Sequence, residues 1–347
     1  MMTAVGLSAA ETAASVRAGI MRFLETAWMD DALEPFRMAL VIDDALQDLD
    51  PGLATEVPAR SREARLLRLA TQPLRECLAP VAGFPRPMGL LLALPEMEAR
   101  PPLDGRALIR RLARQAGAPL DLARSSSEFR GRAGGLAAVG QAVRRIRERQ
   151  ADVILAGGID SYHDFWLLDR LDADYRVKSS SNLDSFVPGE GAGFVCLAAA
   201  SVVRDRGLTP LARVSPAAEG FEEGHFGSDK PYRGEGLADT FARFFTGDAI
   251  PGPGPIQEVY SSMNGENFWA KEWGVAFLRN QSAFHPDHGM HHPADCYGDV
   301  GAACGPLLVG LAAIGLQKAY RRSPCLAYCS SDNGPRTVLA VSATETR

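Results

Sequence analysis

A histidine cluster, six cysteines and a run of serines are the residues of this 347-residue chain best suited to chemistry. His285, His288, His291, His292 and Cys296 fall in one short segment, and imidazole and thiolate are good zinc ligands. The histidines, however, are spaced i, i+3, i+6, i+7 in turn-rich text, with no second ligand pair at a recognisable spacing elsewhere. The segment Ser282–Asp299 therefore reads as an irregular loop bordering a pocket, and no metal is expected. Ser125, Ser126 and Ser127 offer hydroxyl nucleophiles, yet no base stands beside them, which favours a strand or loop. His163 and His225 are single residues on surface segments. The six cysteines, Cys77, Cys196, Cys296, Cys304, Cys325 and Cys329, lie mostly in apolar text and are too sparse for a disulfide framework. They read as reduced thiols of a cytoplasmic protein.

Positioning these residues requires a sizeable fold. With 46% hydrophobic and 23% charged residues the chain is globular, not disordered, collagen-like or coiled-coil. Its 37 basic and 42 acidic residues, net −5, argue against nucleic acid as a partner. Eleven arginines between Arg106 and Arg149, against three acidic residues, read as a solvated helix face, with an acidic docking partner as the functional alternative. The first residues lack the charged start, apolar run and cleavage site of a leader, so the N-terminus is expected within the fold. The apolar stretch Val300–Leu316 is short for a membrane span and is broken by Gly301, Gly305, Pro306, Gly310 and Gly315; it reads as a buried helix, and no membrane partner is expected. Strands are expected at Ala39–Ile42, Met88–Leu94, Val153–Ala156, Gly193–Leu197, Ala212–Ser215, Gln257–Ser261, Cys325–Cys329 and Thr337–Val341. Helices are expected at Ala9–Arg17, Arg60–Leu78, Gly105–Gln115, Gly135–Gln150, Ala199–Arg206, Gly236–Phe245, Glu266–Arg279 and Pro306–Tyr320, with an exposed loop at Pro216–Arg233. This alternation is that of a layered α/β protein. Each half ends in a β-rich segment and carries a long small-residue helix, which suggests internal duplication.

One segment is more specific. A strand runs into Gly157–Gly158, a pair that permits a sharp turn at a strand end. Some 30 residues on, Phe186-Val187-Pro188-Gly189-Glu190-Gly191-Ala192-Gly193 leads into another strand. This arrangement closely resembles the β-ketoacyl-acyl-carrier-protein synthases of the thiolase superfamily. TAVGLSAAETAASVRAG near the N-terminus, Gly131–Ile146 and Gly298–Leu316 are similar to further parts of that family, so the likeness spans most of the chain. It implies a thiolase-like five-layer αβαβα fold of two similar halves, residues 1–205 and 206–347, usually dimerised through the first half.

In such enzymes a cysteine at the N-terminus of the first core helix forms the acyl thioester, activated by the helix dipole, and two histidines assist decarboxylation. Matching Val139-Gly140-Gln141-Ala142 to the family places the nucleophile position at Arg132, to within one residue, next to Gly131. The first histidine position falls on Asn264 in Ser262-Met263-Asn264-Gly265-Glu266, and the second on Asp299. Neither an amide nor an aspartate can act as an imidazole proton donor at neutral pH. The family's glycine-rich closing loop maps onto Ser330-Ser331-Asp332-Asn333-Gly334-Pro335. A lone arginine at a helix N-terminus opposes the dipole and is costly to desolvate, so Arg132 requires an anionic partner, and Asp299 or Glu266 is expected. Phe268, Trp269 and Trp273 read as core packing, with an acyl-chain wall as the alternative.

The resemblance implies acyl thioesters of an acyl carrier protein or coenzyme A as ligands, a homodimer or a heterodimer with a ketosynthase, and no cofactor. The leading expectation is a non-condensing relative. Its rivals are an active acyltransferase using a serine, Cys296 or Cys304, and a non-enzymatic dimeric scaffold. The pocket is expected to include Gly131, Glu266, Cys296, Asn333 and Gly334.

Overall fold

The computed structural model describes residues 1–30, 33–84, 87–96, 102–180, 182–247 and 254–344. From the N-terminus the elements are β1 (Met2–Thr3), α1 (Ala9–Arg17), β2 (Leu24–Met29), β3 (Pro35–Met38), α2 (Arg62–Leu78), β4 (Gly89–Leu94), α3 (Gly105–Ala116), β5 (Ser126–Phe129), α4 (Gly131–Arg147), β6 (Val153–Ser161), α5 (Phe165–Ala173) and β7 (Glu190–Ala198). They continue as α6 (Ala200–Asp205), β8 (Arg213–Val214), β9 (Ala218–Phe221), α7 (Glu235–Thr246), β10 (Ile256–Ser261), α8 (Asn267–Asn280), β11 (Phe284–His291), α9 (Ala294–Tyr297), α10 (Cys304–Gln317), β12 (Cys325–Ser330) and β13 (Pro335–Ser342). Local chemistry sets many boundaries. Ser8, Ser61, Asp104 and Asp164 cap α1, α2, α3 and α5 by accepting from backbone N–H groups of the first turn, and Gly117 ends α3 in the left-handed region.

The two large sheets repeat one plan. The first is ordered β1-β7-β6-β4-β5 and the second β8-β13-β12-β10-β11, so the strands of each, ranked along the chain, take the same places. In each, three parallel strands are followed by two antiparallel ones (β5, β4, β6, then β7 and β1; β11, β10, β12, then β13 and β8). Helices α2 and α3 cover the outer face of the first sheet, and α7 and α8 that of the second, while α4 and α10 pack together between the sheets. These are the five αβαβα layers. Strand β6 is buried along its whole length, as expected of a strand covered on both faces. Every residue of α10 from Cys304 to Leu316 is buried, which accounts for the long apolar run, and no helix among the described residues is long and apolar enough to cross a membrane.

Small residues let the central layer close. A Cβ on Gly135 of α4 would lie 2.4 Å from the Ala302 carbonyl oxygen, and one on Gly158 of β6 only 2.0 Å from the same atom. The Gly157–Gly158 pair thus makes no turn: β6 runs through it to Ser161, and the missing side chains make room for Phe194 and for the approach to α10.

Other expectations also change. The strand expected at Ala39–Ile42 ends at Met38, because the Val41 N–H goes to the Glu190 carboxylate (2.8 Å) rather than to a strand neighbour. Ala39 makes only an isolated bridge to Gly189. The segment Ser282–Asp299 is not irregular: Phe284–His291 lies parallel to β10, pairing Val259 with Met290 and Tyr260 with His291, and α9 follows. Polar side chains obscured a strand whose order comes from the backbone edge of β10. Within Pro216–Arg233, β9 pairs with β13 in the same way.

Candidate functional site

The N-terminus of α4 points at the N-terminal end of α10 and at the loop between β12 and β13. Gly131 enters the helix at φ +57°, and Arg132 follows, its side chain only 4% exposed. Its Nε donates to the Ser330 carbonyl (2.8 Å), and its two terminal nitrogens donate to the carboxylates of Asp299 and Asp332. The guanidinium also lies over the Trp269 ring, 4.7 Å from its centroid. Asp299 accepts further from Asn264 Nδ2 and from the Gly301 N–H, both at 2.8 Å. Asn264 Nδ2 also reaches Glu266 (3.0 Å), which is clasped by Arg176 through Nε (2.7 Å) and Nη2 (2.9 Å). Arg176 returns to Asp332 at 2.7 Å. The six side chains form a closed ring: Arg132, Asp332, Arg176, Glu266, Asn264, Asp299.

Two guanidinium groups face three carboxylates in this ring, all held away from bulk water. Burial opposes ionisation of Asp332, but Arg132 and Arg176 outweigh it and hold its pKa down at about 2. Burial likewise opposes the charge on Arg132, yet Asp299 and Asp332 raise its pKa well above the usual value. The expected partner Asp299 is therefore present, whereas Glu266 pairs with Arg176 instead. The closing loop is pinned from beneath. Ser331 Oγ accepts from the Ala133 N–H (2.9 Å), satisfying an orphan donor of α4, and donates to the Arg130 carbonyl. Glu96 accepts from the N–H groups of Asp332 (3.0 Å) and Asn333 (2.7 Å). Burial, and then the charge of Asp332, push Glu96 up to about 7. Asn333 itself is exposed, and Gly334 turns the loop at φ +105° against the Phe221 ring.

A cavity of about 10 Å³, lined by Gly131, Arg132, Asp332, Glu96, Arg62 and Asp160 among others, lies beside the ring. That is room for about one water molecule. Behind it, Asp160 is held by Arg62 (3.0 Å) and accepts from the Ala302 N–H (2.9 Å), tying β6 to the start of α10.

Of the residues singled out from sequence, Gly131, Arg132, Asn264, Glu266, Asp299 and the loop carrying Asn333 and Gly334 come together here. Cys296 does not: it lines a separate cleft with His291 and His292. Trp269 floors the ring, donating to Glu266 (3.0 Å), whereas Trp273 stacks on Tyr328 within the core. Sequence reasoning passed over Arg176 and Glu96. Only their buried partners mark them, and those partners lie more than 85 residues away along the chain.

None of the six ring side chains is a cysteine, serine or histidine. The Cys329 thiol beside it, and then burial, raise Cys304 well above the usual thiol value, and burial raises Cys77, Cys196, Cys296 and Cys325. Such thiols stay protonated. Ser125 Oγ is satisfied by the Leu90 N–H and the Asp121 carbonyl, and Ser126 and Ser127 lie in β5. Among the described residues no group of three His, Cys, Asp or Glu side chains is arranged to hold a metal ion.

The fold is like that of the ketosynthases. Residues 132–202 match the sequence profile of the beta-ketoacyl synthase, N-terminal domain. The chain superposes on the ishigamide ketosynthase/chain length factor with a TM-score of 0.78 at 12% identity, covering 99% of this chain and 96% of the other. A type II polyketide-synthase acyl carrier protein in complex with its ketosynthase bound to the hexaketide gives 0.76 at 16% identity, with 99% and 97% covered. The ketosynthase from module 6 of the bacillaene synthase from Bacillus subtilis gives 0.75 at 13%, with 99% and 69% covered. At these identities the likeness establishes the thiolase-like fold. No curated protein sequence matches the chain.

Proposed function

We propose that this chain is a non-condensing relative of the ketosynthases, which serves acyl-thioester chemistry by binding an acyl carrier protein, or a coenzyme A thioester, or by pairing with an active ketosynthase. The observation that carries this reading is the buried ring. Arg132 occupies the start of α4, at the position matched to the family cysteine, and its guanidinium is bound to Asp299 and Asp332. Asn264 and Asp299, at the positions matched to the family histidines, are hydrogen-bonded into the same ring. Arg132 and Asp332 are held in their charged forms, away from the range in which a group exchanges protons near neutral pH. The proposed pairing is supported by similar structures, one a ketosynthase/chain length factor and one an acyl carrier protein in complex with its ketosynthase. We assign the two halves to residues 1–205 and 206–347. The six free cysteines are consistent with a reducing, cytoplasmic setting.

The test incubates the full chain with acyl-carrier thioesters and follows intact mass, then measures complexes by native mass spectrometry with the carrier alone and with an active ketosynthase. Unchanged mass together with a defined complex is the expected result. A covalent acyl adduct abolished by replacing one cysteine or serine would replace this reading with an acyltransferase using other residues. Absence of both adduct and complex would leave a dimeric scaffold, and the proposal would be withdrawn.

A further inference from the structure

The histidine segment, read from sequence as a pocket border, does border one. A cleft of about 270 Å³ opens between the end of α1, the ends of β10 and β11, α9 and the end of α10. It shares no lining residue with the ion ring. Its wall is apolar where Ala13, Val16, Met290 and Leu311 face it. Its rim is cationic. Arg17 and Arg321 both lie against Tyr320, with their guanidinium carbons 4.4 and 5.4 Å from that ring's centroid. Neither has a carboxylate partner among the described residues, in a protein whose buried arginines at the ring and elsewhere are paired.

Further polar groups are placed around these two cations. Arg321 Nε donates to Tyr260 Oη (3.1 Å), which leaves the Tyr260 hydroxyl hydrogen to donate in turn. His292 is fixed through Nδ1 by Ser261 Oγ at 2.8 Å, and its Nε2 has no partner among the described residues. His291 is occupied by Glu258 at 2.8 Å. Asp295, exposed on the His292 side, is the one acidic residue of the lining. Ser261 is buried, so the Ser261–His292 pair cannot present a nucleophile to a ligand in the cleft.

We infer that this cleft is a binding site for a small amphipathic carboxylate, its head group held by Arg17, Arg321 and the Tyr260 hydroxyl and its apolar body laid against Ala13, Val16, Met290 and Leu311. Both guanidinium groups lie on the Tyr320 ring with no carboxylate partner among the described residues, and the planar guanidinium fork matches a carboxylate. The apolar wall requires the anion to carry hydrocarbon, which excludes acetate and inorganic phosphate as good ligands. The volume lies just below the ~300–1,000 Å³ of most small-molecule pockets, which excludes a coenzyme A thioester or a folded partner. This inference stands independently of the role proposed for the ion ring.

The test titrates octanoate into the full chain by calorimetry and records the histidine side-chain resonances by NMR. Octanoate is expected to bind and to shift the His292 signals, while acetate, inorganic phosphate and octan-1-ol bind at least about tenfold more weakly. Arg17→Gln and Arg321→Gln should each weaken octanoate about tenfold. Arg17 is exposed and makes no side-chain hydrogen bond or ion pair among the described residues, so its variant remains informative if Arg321→Gln, which frees Tyr260, disturbs the structure. Octan-1-ol binding as tightly as octanoate, unchanged affinity in Arg17→Gln, or no heat and no histidine shift at ~10 mM octanoate, far above a specific Kd, would overturn the assignment.

Discussion

Replacing Arg132 by methionine probes the central claim, that an ion ring rather than a reactive site occupies the meeting point of α4 and α10. Methionine roughly conserves the length of the side chain but removes the donors to Asp299, Asp332 and the Ser330 carbonyl. Asp332 keeps Arg176. Asp299, whose side chain is 1% exposed, keeps only the Asn264 amide and the Gly301 N–H, so its charge is buried without a counter-charge. Breaking a buried pair by removing one partner costs about 3–5 kcal/mol. With an unfolding entropy of about 2.1 cal/mol/K per residue, 347 residues give about 0.7 kcal/mol/K, so Arg132→Met should lower Tm by about 4–7 °C. Asp299→Asn alone strands the arginine in part and should also destabilise. The double variant leaves neither charge orphaned, so its loss should fall short of the sum by about 1–3 kcal/mol. Calorimetry and urea titration of the four proteins measure this cycle. A single variant melting within about 1 °C of the parent, or strict additivity, would show that Arg132 and Asp299 do not depend on each other and would refute the reasoning.

Glu96 supplies a pH signature. Its pKa is about 7 in the folded chain, against 4.5 for a free glutamate, so the folded state keeps a proton that the unfolded chain releases between those values. The stability linked to this proton is fully present below about pH 4.5 and is lost as pH rises through about 7. Thermal melts should therefore show the parent losing stability relative to Glu96→Gln across that window and levelling off above it; parallel curves would remove Glu96 as the titrating group. Two glycines separate packing from propensity. Gly135→Ala drives a Cβ against the Ala302 carbonyl at 2.4 Å and should cost about 1–3 kcal/mol, whereas Gly274→Ala, in α8 with nothing within 4 Å, should stabilise by up to about 1 kcal/mol. Equal shifts in Tm would contradict the close approach of α4 and α10.

Elements set by short-range chemistry were legible in the sequence. The capping serine, amphipathic pattern and closing arginine of α1 place it at Ala9–Arg17, and the apolar run after Val300 gives a buried helix. The Phe186–Gly193 motif does lead into strand β7, and its Gly189 lies against the backbone of Tyr297 and Asp299. The Gly157–Gly158 pair was misread because a glycine that serves a turn and one that serves close packing look the same along the chain. β11 was missed for a related reason. Its residues, FHPDHGMH, carry no alternation, and the strand exists because β10 offers an unpaired edge.

The candidate site divides along the same line. From sequence alone came the expectation, carried by the resemblance, that Arg132, Asn264 and Asp299 stand where that family has other residues, and the requirement that a buried arginine have an acid. Charge and desolvation do not depend on knowing the fold, so that requirement could be stated in advance. Which acids answer it was decided only in three dimensions. Asp332, some 200 residues from Arg132, and Arg176, 90 residues from Glu266, meet because α4, the β12–β13 loop and the start of α8 converge on one point. Tertiary structure likewise separated Cys296 from the ring and set it beside His291, His292 and two arginines that have no carboxylate partner among the described residues, in a cleft of its own. Residue type fixes which groups must be neutralised, but only the packing of the layers brings a particular partner within hydrogen-bonding distance.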